Sequence, residues 1–386
     1  SDLHVQVADT TAALDALGVA ARARTAAKIA GVTGSVGKTG TKEALSAALV
    51  RGKRGAVHRS VKSYNNHTGV PLSLSRMLAD SAFGVFEMGM NHAGELAALT
   101  RLVRPHVAVV TTVAAAHIEF FDSIEAIADA KGEIFQGLEP GGTAIIPFDS
   151  PYRDRLIDHA KPHAANILTF GIGGGADVRA LDTMAVAGGT MVTAKLPEAE
   201  LSFTLSQPGD HWISNAMAVL AAVHALGGDL AAAGLALADF DGLPGRGARH
   251  RVGVGEGEAL LIDESYNANP TSMAATLKVL GHADAKRRIA VLGAMRELGG
   301  DSDALHAGLA EPILEAGVDY ALLVGSGMEP LARALEGRVE SAHWPDASSA
   351  GESLQKLIRA GDAILVKGSN AIGLGRIVAM LTGGQS

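Results

Sequence analysis

The sequence predicts an α/β protein. Its centre is a P-loop-type, mostly parallel sheet with helices on both faces plus a small antiparallel sheet, followed by a smaller Rossmann-like α/β domain. Three observations predict it. Short continuous apolar runs alternate with helical patterns along most of the chain, as strands covered on both faces require. One such run enters a helix through a glycine-rich turn, in "AKIAGVTGSVGKTGTKEAL" (27–45). A second alternation begins at "ALLIDESYN", after a Gly- and Arg-rich stretch, "DGLPGRGARHRVGVGEGE" (241–258), where the periodicity lapses.

The elements follow in order. Residues 1–25 read as one strand and one helix, "HVQVADTTAALDALGVAARAR", without an evident partner, the remnant of a link to a preceding domain. The central domain is expected over 26–252. It holds the strands "KIAGVTG", "FGVFEMG", "HVAVVTTV" and "GTAIIPF", with helices at "GKTGTKEALSAALV", "GELAALTRLV" and "SIEAIADAKGEIFQGL". From about Ala176 to Pro208 the pattern alternates between Gly and Pro-Glu turns, which predicts antiparallel strands, and "HWISNAMAVLAAVHALGG" returns to helix. A hinge is expected at 245–258. The C-terminal domain, 253–386, carries the strands "RRIAVLGAM", "VDYALLVGSG" and "DAILVKGSN".

Bulk properties narrow the function. At 386 residues the chain suits two or three domains. With 47% apolar and 19% charged residues it can fill its cores. A net charge of -8 argues against a general nucleic-acid binder. The chain has no cysteine, which excludes disulfides and thiolate metal sites. The N-terminal stretch has no basic start and apolar run of a signal peptide, and no apolar stretch is long enough to span a bilayer. The expectation is a cytoplasmic monomer with small-molecule partners, no nucleic acid and no membrane insertion.

The glycine-rich turn carries the first motif. A strand passing through glycines into a helix aims backbone N–H groups at one spot. Gly34 and Gly37 allow close approach of an anion, with Ser35 between them; Lys38 adds a charge for the outer phosphates and the Thr39 hydroxyl can ligate Mg²⁺. A standard Walker loop has another glycine where this chain has Val32. Glu87 ends an apolar strand, His117 follows another, and Lys131 lies on the next helix. Glu87, His117 and Thr39 could converge on Mg²⁺, although a lone Glu or His at a strand end is more often structural or solvated.

The shortened turn "TGSVGKT" resembles the phosphate loop of the Mur ligase family, which includes the folylpolyglutamate synthetases. Position 40, commonly Thr or Ser there, is Gly40. "SYNNHTGVPLSL", "FEMGMNHAGE", "AAAHIEFFDSIEAIADAKGEIF" and "IDESYNANPTSM" resemble the branch that joins D-alanyl-D-alanine to UDP-N-acetylmuramoyl-tripeptide. The likeness runs from about residue 5 to the C-terminus. It implies an ATP-dependent amide ligase acting through an acyl phosphate in peptidoglycan precursor synthesis, in a bacterial cytoplasm.

The resemblance also implies roles. Lys38 and the loop amides would hold the β- and γ-phosphates. Thr39 and Glu87 would ligate one Mg²⁺, and His117 would help hold a second. Lys131 matches a lysine that several relatives carry carbamylated; the plainer reading is a lysine paired with phosphate or Glu133. Asn215 would meet the adenine, with Trp212 where Asn is common. Arg246 would contact the nucleotide, and Glu264, Tyr266, Asn267 and Asn269 would serve ribose and adenine; the asparagines also suit turn chemistry before Pro270, and both readings can hold at once. Asn65 and Asn66 would face the muramoyl-peptide, whereas His67 replaces a more usual acid. Lys367, Gly368 and Ser369 would lie near the incoming amine. Relatives begin with a UDP-binding domain, so the chain is expected to lack one and to turn over the UDP-linked substrate weakly.

Three alternatives remain. One is another amide ligase of the superfamily, of folylpolyglutamate or cyanophycin type, which "DESYNANPTSM" disfavours. Another is a P-loop switch, which would need a DxxG-type sensor that is not found. The third is a non-catalytic ATP-binding subunit, in which Lys38, Glu87 or His117 should have been lost.

Overall fold

The structure, a computed structural model, describes residues 5–52, 57–115, 118–186 and 188–384. They form two compact units, the first ending at Phe240 and the second running from Asp241, with Ala115, Ile118–Phe120 and Gln207–Gly209 grouped with the second.

The first unit holds a nine-stranded sheet: β1 (Lys28–Thr33), β2 (Val57–Arg59), β3 (Phe83–Glu87), β4 (Val107–Val110), β5 (Thr143–Pro147), β6 (Asn166–Gly171), β7 (Val178–Val186), β8 (Gly189–Leu196) and β9 (Ala199–Leu205). The order is β2-β3-β1-β4-β5-β6-β7-β8-β9. Neighbours are parallel from β2 to β7, and β8 and β9 are added antiparallel. β4 and β5 are buried at every residue, as a sheet covered on both faces demands. The expected antiparallel strands are present, and they extend the main sheet through the β6–β7 pair instead of standing apart. β2 and β6 escaped the sequence reading. β2 is only three residues long, and β6 alternates weakly beside polar Asn166 and Thr169.

The N-terminal reading needs correction. Among the described residues, 5–9 form no strand, because Asp9 instead caps a helix, accepting from the N–H groups of Thr11 (2.7 Å) and Ala12 (3.1 Å). That helix, Thr10–Ala23, has a partner after all. Buried Arg22 donates from Nε to the Val103 carbonyl (2.9 Å) and from Nη2 to that of Arg104 (2.8 Å), satisfying the end of the helix Glu95–Val103.

The second unit holds β10 (Ala248–Val254), β11 (Gly257–Glu264), β12 (Arg287–Gly293), β13 (Tyr320–Val324), β14 (Glu340–Trp344) and β15 (Asp362–Lys367). The order is β10-β11-β15-β12-β13-β14, parallel except for the β10–β11 hairpin. Residues alternate between two cores: Ala290, Leu292 and Leu365 face one, Ile289, Val291 and Ile364 the other. A domain boundary at 252 would cut β10, whose residues pair with β11 from Ala248↔Asp263 to Val254↔Gly257. The hinge expected at 245–258 therefore falls largely inside a hairpin. The lapse in periodicity was that of an edge strand, whose Arg249 and Arg251 alternate with buried Ala248 and Val252.

Candidate functional site

β1 lies between β3 and β4, and its end opens the glycine-rich turn. Gly34 adopts φ 151° and Gly37 φ 85°, both in the region that favours glycine. A Cβ on Gly34 would lie 1.9 Å from Thr111 Oγ1, so no other residue fits. Residues after β4 hold the turn in shape. Ser35 N donates to the Thr112 carbonyl (2.7 Å), Ser35 Oγ pairs with the backbone of Ala114 (2.9 Å to the carbonyl), and Thr111 Oγ1 donates to the Val36 carbonyl (2.6 Å). Lys38 opens the helix Lys38–Gly52 and its Nζ donates back to the Gly34 carbonyl. The turn is thus braced and aimed along the helix axis, as an anion cradle must be.

Glu87 ends β3, in register with Val32. It is 1% exposed. Its Oε2 accepts from Thr39 Oγ1 (2.8 Å), its Oε1 from Asn65 Nδ2 (2.8 Å), and its backbone N–H donates to Ser60 Oγ (3.2 Å). Among the described residues, then, a buried carboxylate faces a hydroxyl and an amide, both neutral. Mg²⁺ takes hard oxygen donors and is held by one or two carboxylates together with phosphate oxygens and water. Thr39 and Glu87 beside the turn fit that requirement. Among the described residues, no group of three or more His, Cys, Asp or Glu is placed so that it could hold a metal ion. His117 lies outside them. Asn66 is otherwise engaged: its Oδ1 accepts from the N–H groups of Thr68 (3.2 Å) and Gly69 (2.8 Å) at the start of the helix Gly69–Ser75.

Lys131 lies in the last turn of the helix Ile124–Gly132 and is 2% exposed. Burial, and then the charge of Lys38, hold its amine well below the usual lysine range. Its expected neighbour Glu133 instead accepts from the N–H groups of Gly94 (2.7 Å) and Ala97 (3.2 Å). Asn215, on the helix Asp210–Leu226, comes so close to Gly37 that a Cβ there would lie 2.9 Å from its Oδ1. On the same helix the Trp212 ring lies over Gly40, where a Cβ would be 3.0 Å from Cη2. The two departures noted in the sequence fit each other.

In the second unit the remaining residues gather where adjacent parallel strands end, the edge at which such sheets bind ligands. Glu264 ends β11 and Lys367 ends β15, as register partners. Lys367 Nζ lies 3.4 Å from Glu264 Oε2 and donates to the Asn267 carbonyl (2.9 Å). Burial raises the Glu264 carboxyl, opposed by Lys367, and burial lowers the Lys367 amine, opposed by Glu264. The Arg246 guanidinium lies 4.2 Å from the centre of the Tyr266 ring. Asn269 caps the helix Pro270–Gly281 in a capping box with Ser272, so its Oδ1 is committed to turn chemistry. Ser369 Oγ accepts from Arg296 N (3.0 Å), and Gly368 packs against Gly293.

Sequence reasoning missed several residues. Ser60, Thr111 and Asp263 act through backbone contacts that no local pattern announces. Asp263 accepts from Gly245 N (2.6 Å) and Ser265 Oγ (2.6 Å), fixing the Arg246 loop to β11. Buried His306 accepts from Met295 N (2.9 Å).

Comparison with known proteins gives the family of the chain. The Mur ligase middle domain matches residues 32–223, and the Mur ligase glutamate ligase domain matches residues 250–370. The UDP-N-acetylmuramoyl-tripeptide–D-alanyl-D-alanine ligase of Escherichia coli (strain K12) is 35% identical over 385 residues, covering 97% of this chain and 81% of that protein. A crystal structure of MurF from Acinetobacter baumannii superposes with a TM-score of 0.88 at 31% identity, over 98% of this chain and 82% of that one. MurF ligase from Thermotoga maritima in complex with ADP gives a TM-score of 0.83 at 27% identity, over 100% and 86%.

Proposed function

The chain belongs to the Mur ligase family, and from that premise we propose that it joins D-alanyl-D-alanine to UDP-N-acetylmuramoyl-tripeptide at the expense of ATP, in peptidoglycan precursor synthesis. The observation that carries this reading is the buried Thr39–Glu87–Asn65 cluster beside the braced turn (2.8 Å at each contact). Such an arrangement serves a metal nucleotide, and the near full-length likeness to ligases of this specificity supplies the substrates.

A peptide carboxylate is a poor acyl donor, and phosphorylation turns it into an acyl phosphate with a good leaving group. The amine of the dipeptide then attacks and phosphate departs. Lys38 and the N–H groups of the turn hold the phosphates and meet the charge that develops during transfer. Mg²⁺ bound by Thr39 and Glu87 would neutralise phosphate charge, and His117 is assigned to a second ion. Asn65 keeps the Glu87 carboxylate aimed. Asn66, whose oxygen is bonded to the Thr68 and Gly69 N–H groups, offers its amide N–H₂ to the muramoyl-peptide.

Burial and then the charge of Lys38 lower the Lys131 amine, and the unprotonated amine is the form that takes up CO₂; carbamylation would place an anion where the charge of Lys38 is felt. Asn215, Arg246, Glu264, Tyr266, Asn267 and Asn269 are assigned to the nucleoside, the last through its backbone and N–H₂ because its Oδ1 caps a helix. Lys367, Gly368 and Ser369 are assigned to the amine. No described helix is long and apolar enough to cross a membrane; cytoplasmic residence as a monomer is part of this proposal.

The test is phosphate release with ATP, Mg²⁺, UDP-muramoyl-tripeptide and D-Ala-D-Ala, each omitted in turn. Release should stop when any one is missing. Release that continues without tripeptide or dipeptide contradicts the assignment.

A further inference from the structure

Among the described residues, Lys42 is one of the largest fully buried side chains, at 0% exposure, and has no role above. It sits one turn beyond Thr39 on the helix Lys38–Gly52. Its Nζ donates to the carbonyls of Ser60 (2.9 Å) and Lys62 (2.7 Å) and pairs with Glu43 Oε1 (2.6 Å). All three ammonium donors are therefore satisfied without water. Glu43 Oε2 pairs in turn with Arg59 Nε at the end of β2 (2.8 Å).

The two carbonyls bracket Val61, so the chain curls around the ammonium, and Lys62 takes φ 52° to do so. A non-glycine residue there costs about 1 kcal/mol or more and persists only where its surroundings hold it. The same loop reaches the carboxylate twice. Ser60 Oγ accepts the Glu87 N–H, and Asn65 Nδ2 donates to Glu87 Oε1.

We infer that Lys42 is a positioning residue: it clamps loop 60–66 to the phosphate-turn helix, so that Thr39, from the helix, and Glu87, aimed by the loop, keep a fixed relation to one another. The inference rests on the reading of Thr39 and Glu87 as Mg²⁺ ligands. Lys42 acts one shell out, on the groups that orient them. Removing such a partner typically weakens metal binding about 10-fold or more. Met is the informative replacement, because it keeps the buried stem and leaves Glu43 paired with Arg59.

The experiment is titration of the full chain with ADP, with and without Mg²⁺, which reads binding and not turnover. In the unmodified chain Mg²⁺ should tighten ADP binding, and Glu87→Gln should abolish that gain; a chain that gains nothing from Mg²⁺ overturns the metal reading itself. Lys42→Met should leave metal-free ADP binding within about 2-fold while the Mg²⁺ gain falls about 10-fold. Combining it with Asn65→Ala should add little, since both act through one carboxylate. If Lys42→Met lowers the unfolding midpoint yet keeps the full Mg²⁺ gain, Lys42 is only structural and the inference is wrong. Should Lys42→Met not fold, Ser60→Ala decides: a reduced Mg²⁺ gain supports the clamp and an undiminished one overturns it.

Discussion

At the scale of single residues, the charge state of Lys131 is the sharpest consequence of the structure. An unfolded chain keeps this amine protonated up to its ordinary value, whereas burial and Lys38 strip the proton at lower pH in the folded protein. Between those two values the unfolded state binds more protons. Stability therefore rises as pH increases through that window and falls as pH drops through it. Urea unfolding in CO₂-free buffer, from neutral pH upward, should show this rise, and Lys131→Met should flatten it. Parallel pH profiles for the two proteins would show that Lys131 is not the source. The same pair of proteins tests the modification: ¹³C-bicarbonate should give a carbamate resonance that Lys131→Met lacks, and no resonance in either would rule it out.

At the scale of elements, the packing of the helix Lys38–Gly52 against the helix Asp210–Leu226 explains Gly40. A Cβ at position 40 would meet the Trp212 ring, which fills that space and rests on Phe240, with ring centres 5.4 Å apart. Gly40→Thr should cost about 1–3 kcal/mol through overpacking, set against a few tenths gained in helix propensity. Trp212→Asn should cost about 3–5 kcal/mol by emptying the site. Together they should cost at least about 1 kcal/mol less than the sum, because the smaller side chain makes room for the larger. Urea denaturation of the four proteins measures this, and additivity within about 0.5 kcal/mol would refute the pairing.

This pair also shows where the sequence is legible. Local signals such as the strand–turn–helix around Lys38, or the capping box at Asn269, are written in adjacent residues and could be read directly. The Gly40–Trp212 contact joins positions 172 apart, and only the fold brings them together. Glu87 was visible as a carboxylate at a strand end, but Ser60 and Lys42, which act on its surroundings, look like any serine and any helical lysine. The misplaced boundary at 252 has a similar cause. An edge hairpin rich in Gly and Arg has the composition of a linker, and the pairing that makes it a strand lies across the hairpin.

At the scale of the whole molecule, two α/β units each present the side chains proposed for the site where parallel strands end. In the first these are the phosphate turn and Glu87; in the second they are Glu264, Lys367 and the Arg246 loop. In the proposed reaction the terminal phosphate of ATP passes to a peptide carboxylate and not to water. It is tested most directly with UDP-muramoyl-tripeptide labelled with ¹⁸O in the reacting carboxyl group, incubated with the protein, ATP, Mg²⁺ and D-Ala-D-Ala. Transfer to the carboxylate predicts that each phosphate released carries one ¹⁸O, because the carboxyl oxygen that attacks phosphorus leaves with it. Unlabelled phosphate would mean that water attacked the nucleotide, and the ligase account would be wrong.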